Sequence, residues 1–407
     1  MRFIENLDIN KYRDFVKSSP YNHYKKMPEW VTFNAQKNDT FYYVGLEEQD
    51  TLIATALIRE TKTLFGKYHY ICWGPCIDYT NEDLTLLFMD YLLGFAKNRN
   101  AIFLKFDPNV IRVSRTIDGE QTPAINNEYI TEYLKAKGFH HRGYGYGYDG
   151  SWTNRYTLIL DISSTIEDIV NGFAKNKQSV LKRHEHIGIS SRITTSSDLD
   201  YLMTFEKQLS LIQQFSPHPK EYFLKLIHDF QDHCHLIITE IRPQIMINFI
   251  TNELTSNKYK KDLEALQAKE KELELAKSWL QEFGEVIPIA MGLFISNGYK
   301  SWDLYAYHHK DFSQLKPTDN LHLFTINYFK TLGVTDYDMV GFSGSLDKKD
   351  RYYGLYEYKK SFGSTFTEYI GEFTNVNKPL LYQFYLFLER LKTAVKWRLR
   401  KLKKRIH

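Results

Sequence analysis

Thr51-Leu52-Ile53-Ala54-Thr55-Ala56-Leu57-Ile58 decides the fold, because the chain repeats its surroundings later. The octapeptide is aliphatic and β-branched and reads as a buried strand. Residues 68–73 read as the next strand. Residues 83–97 have helical spacing, with Leu84, Leu86, Leu87, Met89, Leu92, Leu93 and Phe95 as the apolar positions. Residues 101–107 read as another strand. The same order returns at 286–296 (strand), 301–307 (strand), 321–332 (helix) and 336–343 (strand). Ala54 precedes Phe106 by 52 residues, and Ala290 precedes Phe342 by the same 52. Two equal runs of strand, strand, helix and strand predict a duplicated α/β unit.

Working outward, residues 252–284 are highly charged, and Tyr259, Leu266, Leu273 and Leu280 recur every seven positions. That spacing predicts a helical coiled-coil arm, a short antiparallel pair, with Gly284 as its C-cap. An ordinary surface helix is the alternative. The expected division is a first domain at 1–150, a second at 151–251 and 285–389, the arm at 252–284 and a terminal helix at 390–407. Residues 164–182 read as one helix, basic towards its end.

The 407 residues are 43% hydrophobic and 15% aromatic, enough for large cores and unlike a disordered chain. Three cysteines make no disulfide framework and suit a reducing compartment. The N-terminus lacks a signal-peptide apolar run, and the longest uncharged stretch, 286–299, is too short to span a bilayer. A cytoplasmic protein is expected. The net charge is only +4, yet nine Lys and Arg and no acid follow residue 389, which leaves −5 for the rest. In that tail Leu391, Val395, Leu399, Leu402 and Ile406 fall on one helical stripe. This predicts contact with an anionic membrane or with tRNA phosphates through Lys396, Arg398, Arg400, Lys401, Lys403 and Lys404. A terminal helix with a solvated basic face is the bland alternative.

Candidate chemistry is sparse. Asp107 ends a strand before Pro108, where a carboxylate serves as a base or an amine holder, or simply starts a turn. Gly74-Pro75 follows a strand as a tight turn open to a ligand. Lys175, Lys177, Lys182 and Arg183 form a basic cluster suited to phosphates, or a solvated face. Residues 354–363 set Lys359 and Lys360 among aromatics, where a desolvated lysine stabilises negative charge, or where a surface hairpin forms. His233 and His235 lack further ligands, so packing is the better reading and no metal is expected. No Walker motif is present, and Gly341-Phe342-Ser343-Gly344-Ser345 departs from a nucleophile elbow at its last position.

Together these segments resemble the FemABX peptidyltransferases, non-ribosomal aminoacyltransferases that build peptidoglycan cross-bridges. The resemblance rests on Ser19-Pro20-Tyr21-Asn22-His23, Gly74-Pro75-Cys76-Ile77-Asp78-Tyr79, Phe103-Leu104-Lys105-Phe106-Asp107-Pro108, residues 337–344, Tyr353-Gly354-Leu355-Tyr356-Glu357-Tyr358-Lys359 and Tyr369-Ile370-Gly371-Glu372-Phe373. It implies two acetyltransferase-like (GNAT-like) domains with an inserted helical arm. It also implies transfer of Ser, Ala or Gly from aminoacyl-tRNA to the stem peptide of lipid II, with no further cofactor. By resemblance Lys359, after Tyr358, lies near the donor ester, and Asp107 lies near the acceptor amine. Lys37, after Trp30, holds acceptor phosphates, Tyr307 contacts the acceptor, and Lys182 stays in register with a family basic residue. Trp73 stands where many members have Arg. Implied partners are aminoacyl-tRNA, lipid II, an anionic membrane at the inner face of the plasma membrane, and other family enzymes. A non-catalytic precursor-binding member and a CoA-dependent N-acyltransferase are the alternatives.

Overall fold

The computed structural model describes residues 1–147, 151–256, 259 and 262–406, without the side chains at 393–394 and 396–406. The chain divides into two compact units. The first comprises Met1–Ser114, Gln121–Tyr156 and Thr367–His407, and the second Arg115–Glu120 and Thr157–Phe366.

The first unit opens with β1 (Arg2–Ile4), β2 (Asp39–Glu48), β3 (Thr51–Thr63), β4 (Gly66–Ile71), β5 (Phe103–Phe106), β6 (Ile111–Arg115), β7 (Gln121–Asn126) and β8 (His140–His141). The second unit follows with β9 (Tyr156–Asp161), β10 (Ile189–Thr194), β11 (Cys234–Ile241), β12 (Ile287–Asn297), β13 (Lys300–His308) and β14 (Asp336–Gly341). The chain then returns to the first through β15 (Thr365–Tyr369) and β16 (Phe373–Val376).

The first sheet runs β1-β2-β3-β4-β5-β16-β8, and the second unit's strands run β10-β11-β12-β13-β14-β9. Each sheet holds an antiparallel hairpin, then a parallel step, then an antiparallel neighbour. In the first, β3 pairs antiparallel with β4, β4 parallel with β5, and β5 antiparallel with β16. In the second, β12 pairs antiparallel with β13, β13 parallel with β14, and β14 antiparallel with β9. The two halves of the sequence repeat thus build the same topology. A parallel step needs a crossover, and the helices Glu82–Asn98 and Pro317–Thr331 supply it. Asn81 caps the first of these by accepting from Leu84 N. Its buried face is Thr85, Phe88, Met89, Leu92, Phe95 and Ala96, one stripe at helical spacing.

Three expectations change. Residues 367–389, expected in the second domain, fall in the first unit, because β16 completes its sheet between β5 and β8. Residues 164–182 are two helices, Ile166–Asn171 and Lys175–His186, broken at Gly172. The arm begins earlier than 252, as the helix Pro243–Thr255 followed by Leu263–Phe283. The two lie side by side, and Met246, Ile250, Ala276 and Trp279 bury in one cluster with Ile189 and Ile287 of the sheet. The seven-residue recurrence is not the buried seam. Tyr259, Leu266, Leu273 and Leu280 are half-buried, whereas Ala276 and Trp279 are buried.

Candidate active site

In the second unit the polar centre is built on β13, β14 and the helix Tyr353–Lys360. That helix replaces the hairpin the glycines allowed, and Gly363, at φ +73°, follows it. A Cβ at Gly363 would stand 2.8 Å from the Gly172 carbonyl oxygen, so glycine is required there. Lys359 sits in the last turn, 6% exposed. Its Nζ donates to Val340 O at 2.9 Å and Gly341 O at 3.2 Å.

Those carbonyls lie at a break in β14, whose register against β9 shifts between Asp338 and Gly341. Val340 has φ +61°, a costly conformation for a β-branched residue. Two contacts hold it: the Lys359 ammonium on its carbonyl, and its own N–H donating to Asp338 Oδ1 at 2.7 Å. Removing the Cβ should relieve the strain. We expect Val340→Gly to raise stability by about 0.5–1 kcal/mol, read by thermal denaturation.

Burial pulls Lys359 down to about 8, opposed by the Asp303 and Asp338 carboxylates. Burial pushes Asp303 up to about 7, with Lys359 opposing. Burial and nearby Lys177 and Lys359 hold His322 neutral, at about 3, and its Nδ1 pairs with the Tyr337 hydroxyl at 2.7 Å. The result is one desolvated ammonium among buried acids, the setting expected of a group that meets developing negative charge.

On another face of the same helix, Tyr358 and Lys360 line a cleft of about 780 Å³. Lys177, Lys316, Thr318 and Asp319 also line it, but Lys359 does not. Lys177 is buried and pairs with Asp319 at 2.6 Å, its Nζ 4.5 Å from the Tyr358 ring centre. Lys182, the expected phosphate contact, is exposed and absent from the cleft wall. Lys182 lies five positions after Lys177, which turns it to a different helix face. Tyr307, the expected acceptor contact, points its hydroxyl to Glu206 at 3.4 Å, and burial and that acid push its pKa far up. Of the β13 side chains, Asp303 is the one whose charge acts on Lys359.

In the first unit, Asp107 is buried beyond β5 rather than exposed in a turn. Its Oδ1 accepts from Trp73 N at 2.8 Å, and its Oδ2 accepts from the Tyr70 hydroxyl at 2.8 Å and from Thr153 Oγ1. Burial raises it to about 6, and these donors oppose the rise. Trp73 at φ +60° and Gly74 at φ +69° form the turn it secures. A Cβ at Gly74 would come within 2.6 Å of Pro108 Cα. These three donors tie the Asp107 carboxylate to this turn.

Beside Tyr70 lies a small cavity of about 150 Å³ lined by Lys25, Trp30, Arg59, Tyr70, Cys72 and Trp152. Trp30 lines this cavity, but Lys37 is exposed in the turn after the helix Pro28–Asn34 and is not part of the wall. The cations present are Lys25, 5.5 Å from the Trp30 ring centre, and Arg59, paired with Asp39 at 2.7 Å. The sequence reading passed over both, along with Asp303 and Asp338. Two acids inside apolar strand runs, Trp302-Asp303-Leu304 and Tyr337-Asp338-Met339, were a usable signal. The six tail residues Lys396, Arg398, Arg400, Lys401, Lys403 and Lys404 have side chains outside the described residues.

A family model described as the FemAB family matches residues 7–390. Aminoacyltransferase FemA of Staphylococcus epidermidis (strain ATCC 12228) is 24% identical over 413 residues, covering 95% of this chain and 99% of that protein. Aminoacyltransferase FemA of Staphylococcus aureus (strain MW2) is 23% identical over 416 residues, covering 96% and 99%. A crystal structure of FemX superposes with a TM-score of 0.80 at 21% identity, over 94% of this chain and 99% of its own. That likeness shows the fold, and the match over nearly the whole length shows the family: the chain belongs to the FemAB family.

Proposed function

We propose that this aminoacyltransferase takes Ser, Ala or Gly from aminoacyl-tRNA and joins it to an amine on the stem peptide of lipid II, in peptidoglycan cross-bridge synthesis. One observation carries the reading at the site: the buried Lys359 ammonium, fixed at the β14 break between Asp303 and Asp338. The acceptor amine attacks the ester carbonyl of the donor. The carbonyl oxygen becomes an oxyanion, and the tetrahedral intermediate collapses with loss of the tRNA ribose hydroxyl. The amine gives up one proton and the departing alkoxide gains one, so the products are an amide and free tRNA. The ester is already activated, and the reaction consumes no nucleotide.

Lys359 meets the oxyanion in this scheme. An ammonium has three donors, and Val340 and Gly341 accept from two of them. The third is left to meet the oxyanion. The 780 Å³ cleft, where Lys316 stands beside the Lys177–Asp319 and Lys360–Asp118 pairs, is the space for the 3′ end of the donor. The small cavity with Lys25 and Arg59 suits an anionic part of the acceptor.

The direct test supplies purified protein with lipid II and tRNA charged with Gly, Ser or Ala. Mass spectrometry of the lipid II is expected to show one added residue with one of the three. Binding of lipid II with no added mass from any charged tRNA would instead identify a non-catalytic precursor-binding member.

A further inference from the structure

The C-terminal helix Pro379–Ile406 has two faces of different character. Tyr382 and Tyr385 pack on Phe103, with ring centres 5.1 and 5.2 Å away. On the other side Leu380, Phe384, Phe387, Leu391 and Val395 recur every three or four residues, and all are exposed, Leu380 at 88%. The tip of the β3–β4 hairpin extends this apolar surface. Leu64 there is 88% exposed, and the Phe65 ring meets Phe384 edge-on at 4.5 Å. A surface helix ordinarily turns its apolar stripe to the core and its charges to water. Here one side is docked and an apolar stripe still faces outward.

The charges around that stripe are mostly basic, with Lys392 paired to Glu389 and Lys67 to Glu60. Lys62 and Lys67 pair across the hairpin just behind its tip. From Arg390 onward the helix sequence carries nine Lys and Arg and no Asp or Glu. The complementary surface is apolar within and anionic at its face. Among the described residues no helix is long and apolar enough to cross a membrane, so the helix does not serve as a span.

We propose that the C-terminal helix and the β3–β4 tip form a docking surface for an anionic lipid bilayer. The stripe and Leu64 enter the headgroup region, and the lysines and arginines meet lipid phosphates. A groove of about 630 Å³ lies between the same two elements, walled by Lys62 and Leu64 on one side and by Tyr385, Glu389 and Lys392 on the other. The inference rests on this surface alone and holds whichever amino acid is transferred.

The test is co-flotation of the full chain with vesicles of phosphatidylglycerol and phosphatidylcholine, against vesicles of phosphatidylcholine alone. The wild type is expected to float with the anionic vesicles only, and less at high salt. Phe387→Ser with Leu391→Ser, and separately Lys62→Glu with Leu64→Ser, are expected to weaken that binding at least tenfold. All four positions are exposed, so the thermal midpoint should hold. Equal flotation of wild type and variants, or none at all, overturns the proposal. So does unchanged flotation with a loss of mass by light scattering, which marks a seat for a second copy, or with a loss of tRNA in a filter assay, which marks an RNA surface.

Discussion

Lys359→Met is expected to lower aminoacyl transfer about a thousandfold at saturating substrates while leaving the fold intact. The size follows from where the ammonium sits. It is 6% exposed and flanked by buried Asp303 and Asp338, so water screens its charge weakly. Removing one fixed donor to a tetrahedral oxyanion costs ~10²–10³ in rate, and this group brings a full charge as well as a hydrogen bond. Methionine keeps the chain length and apolar volume, which makes it a suitable probe. Lys359→Arg is the companion, because a guanidinium stays charged at any accessible pH. Since burial brings Lys359 to about 8, transfer that needs the ammonium falls as pH rises through that value. The arginine variant should retain a fraction of activity and lose that alkaline limb. Circular dichroism verifies the fold, and labelled transfer from charged tRNA gives the rate. Near-normal turnover by Lys359→Met removes the lysine from the mechanism.

Lys177→Met should cost about 3–5 kcal/mol of stability, the largest loss expected of any single substitution considered. Lys177 and Asp319 are both buried, and their ion pair at 2.6 Å is the contact that compensates the acid. Asp319 also lies in the first turn of Pro317–Thr331, where the helix dipole favours its charge but does not replace a partner. Methionine leaves that carboxylate buried and uncompensated. Lys177→Met with Asp319→Leu should recover most of the loss, because the charge to be desolvated is then gone. A double-mutant cycle in urea measures the coupling. Additive losses in the double variant would mean that the pair holds nothing together.

Much of the architecture was readable because it is local and repeated. Strand runs at 51–58 and 286–296 carry their own signal, and the shared spacing of 52 residues gave the duplication without a homologue. What escaped depends on partners far along the chain. Phe373-Thr374-Asn375-Val376 is four residues of ordinary composition, and nothing in it says that it pairs with a strand some 270 residues earlier. Lys177 and Lys182 look alike in sequence. Only Asp319, 142 positions away, shows which of them turns inward. The same holds for Asp107: base, amine holder or plain turn are alike in sequence, and only the fold shows that Tyr70, Trp73 and Thr153 converge on it. The aromatic setting marks Lys359 and Lys360 together, and the resemblance picks out Lys359. The acids that set its charge needed the sheet.

The return of the last strand also orders the events of biosynthesis. The second unit is nearly one continuous run, complete when Phe366 has left the ribosome. The first unit is translated earlier yet finishes later, because β5 and β8 both wait for β16. At about 5–20 residues per second, the 235 residues between His141 and Val376 take roughly 10–50 s. Through that interval the nascent N-terminal sheet carries an open edge, the kind of template on which neighbouring chains add strands. A ribosome that stops between residues 366 and 376 releases a chain with its second unit whole and its first unsealed.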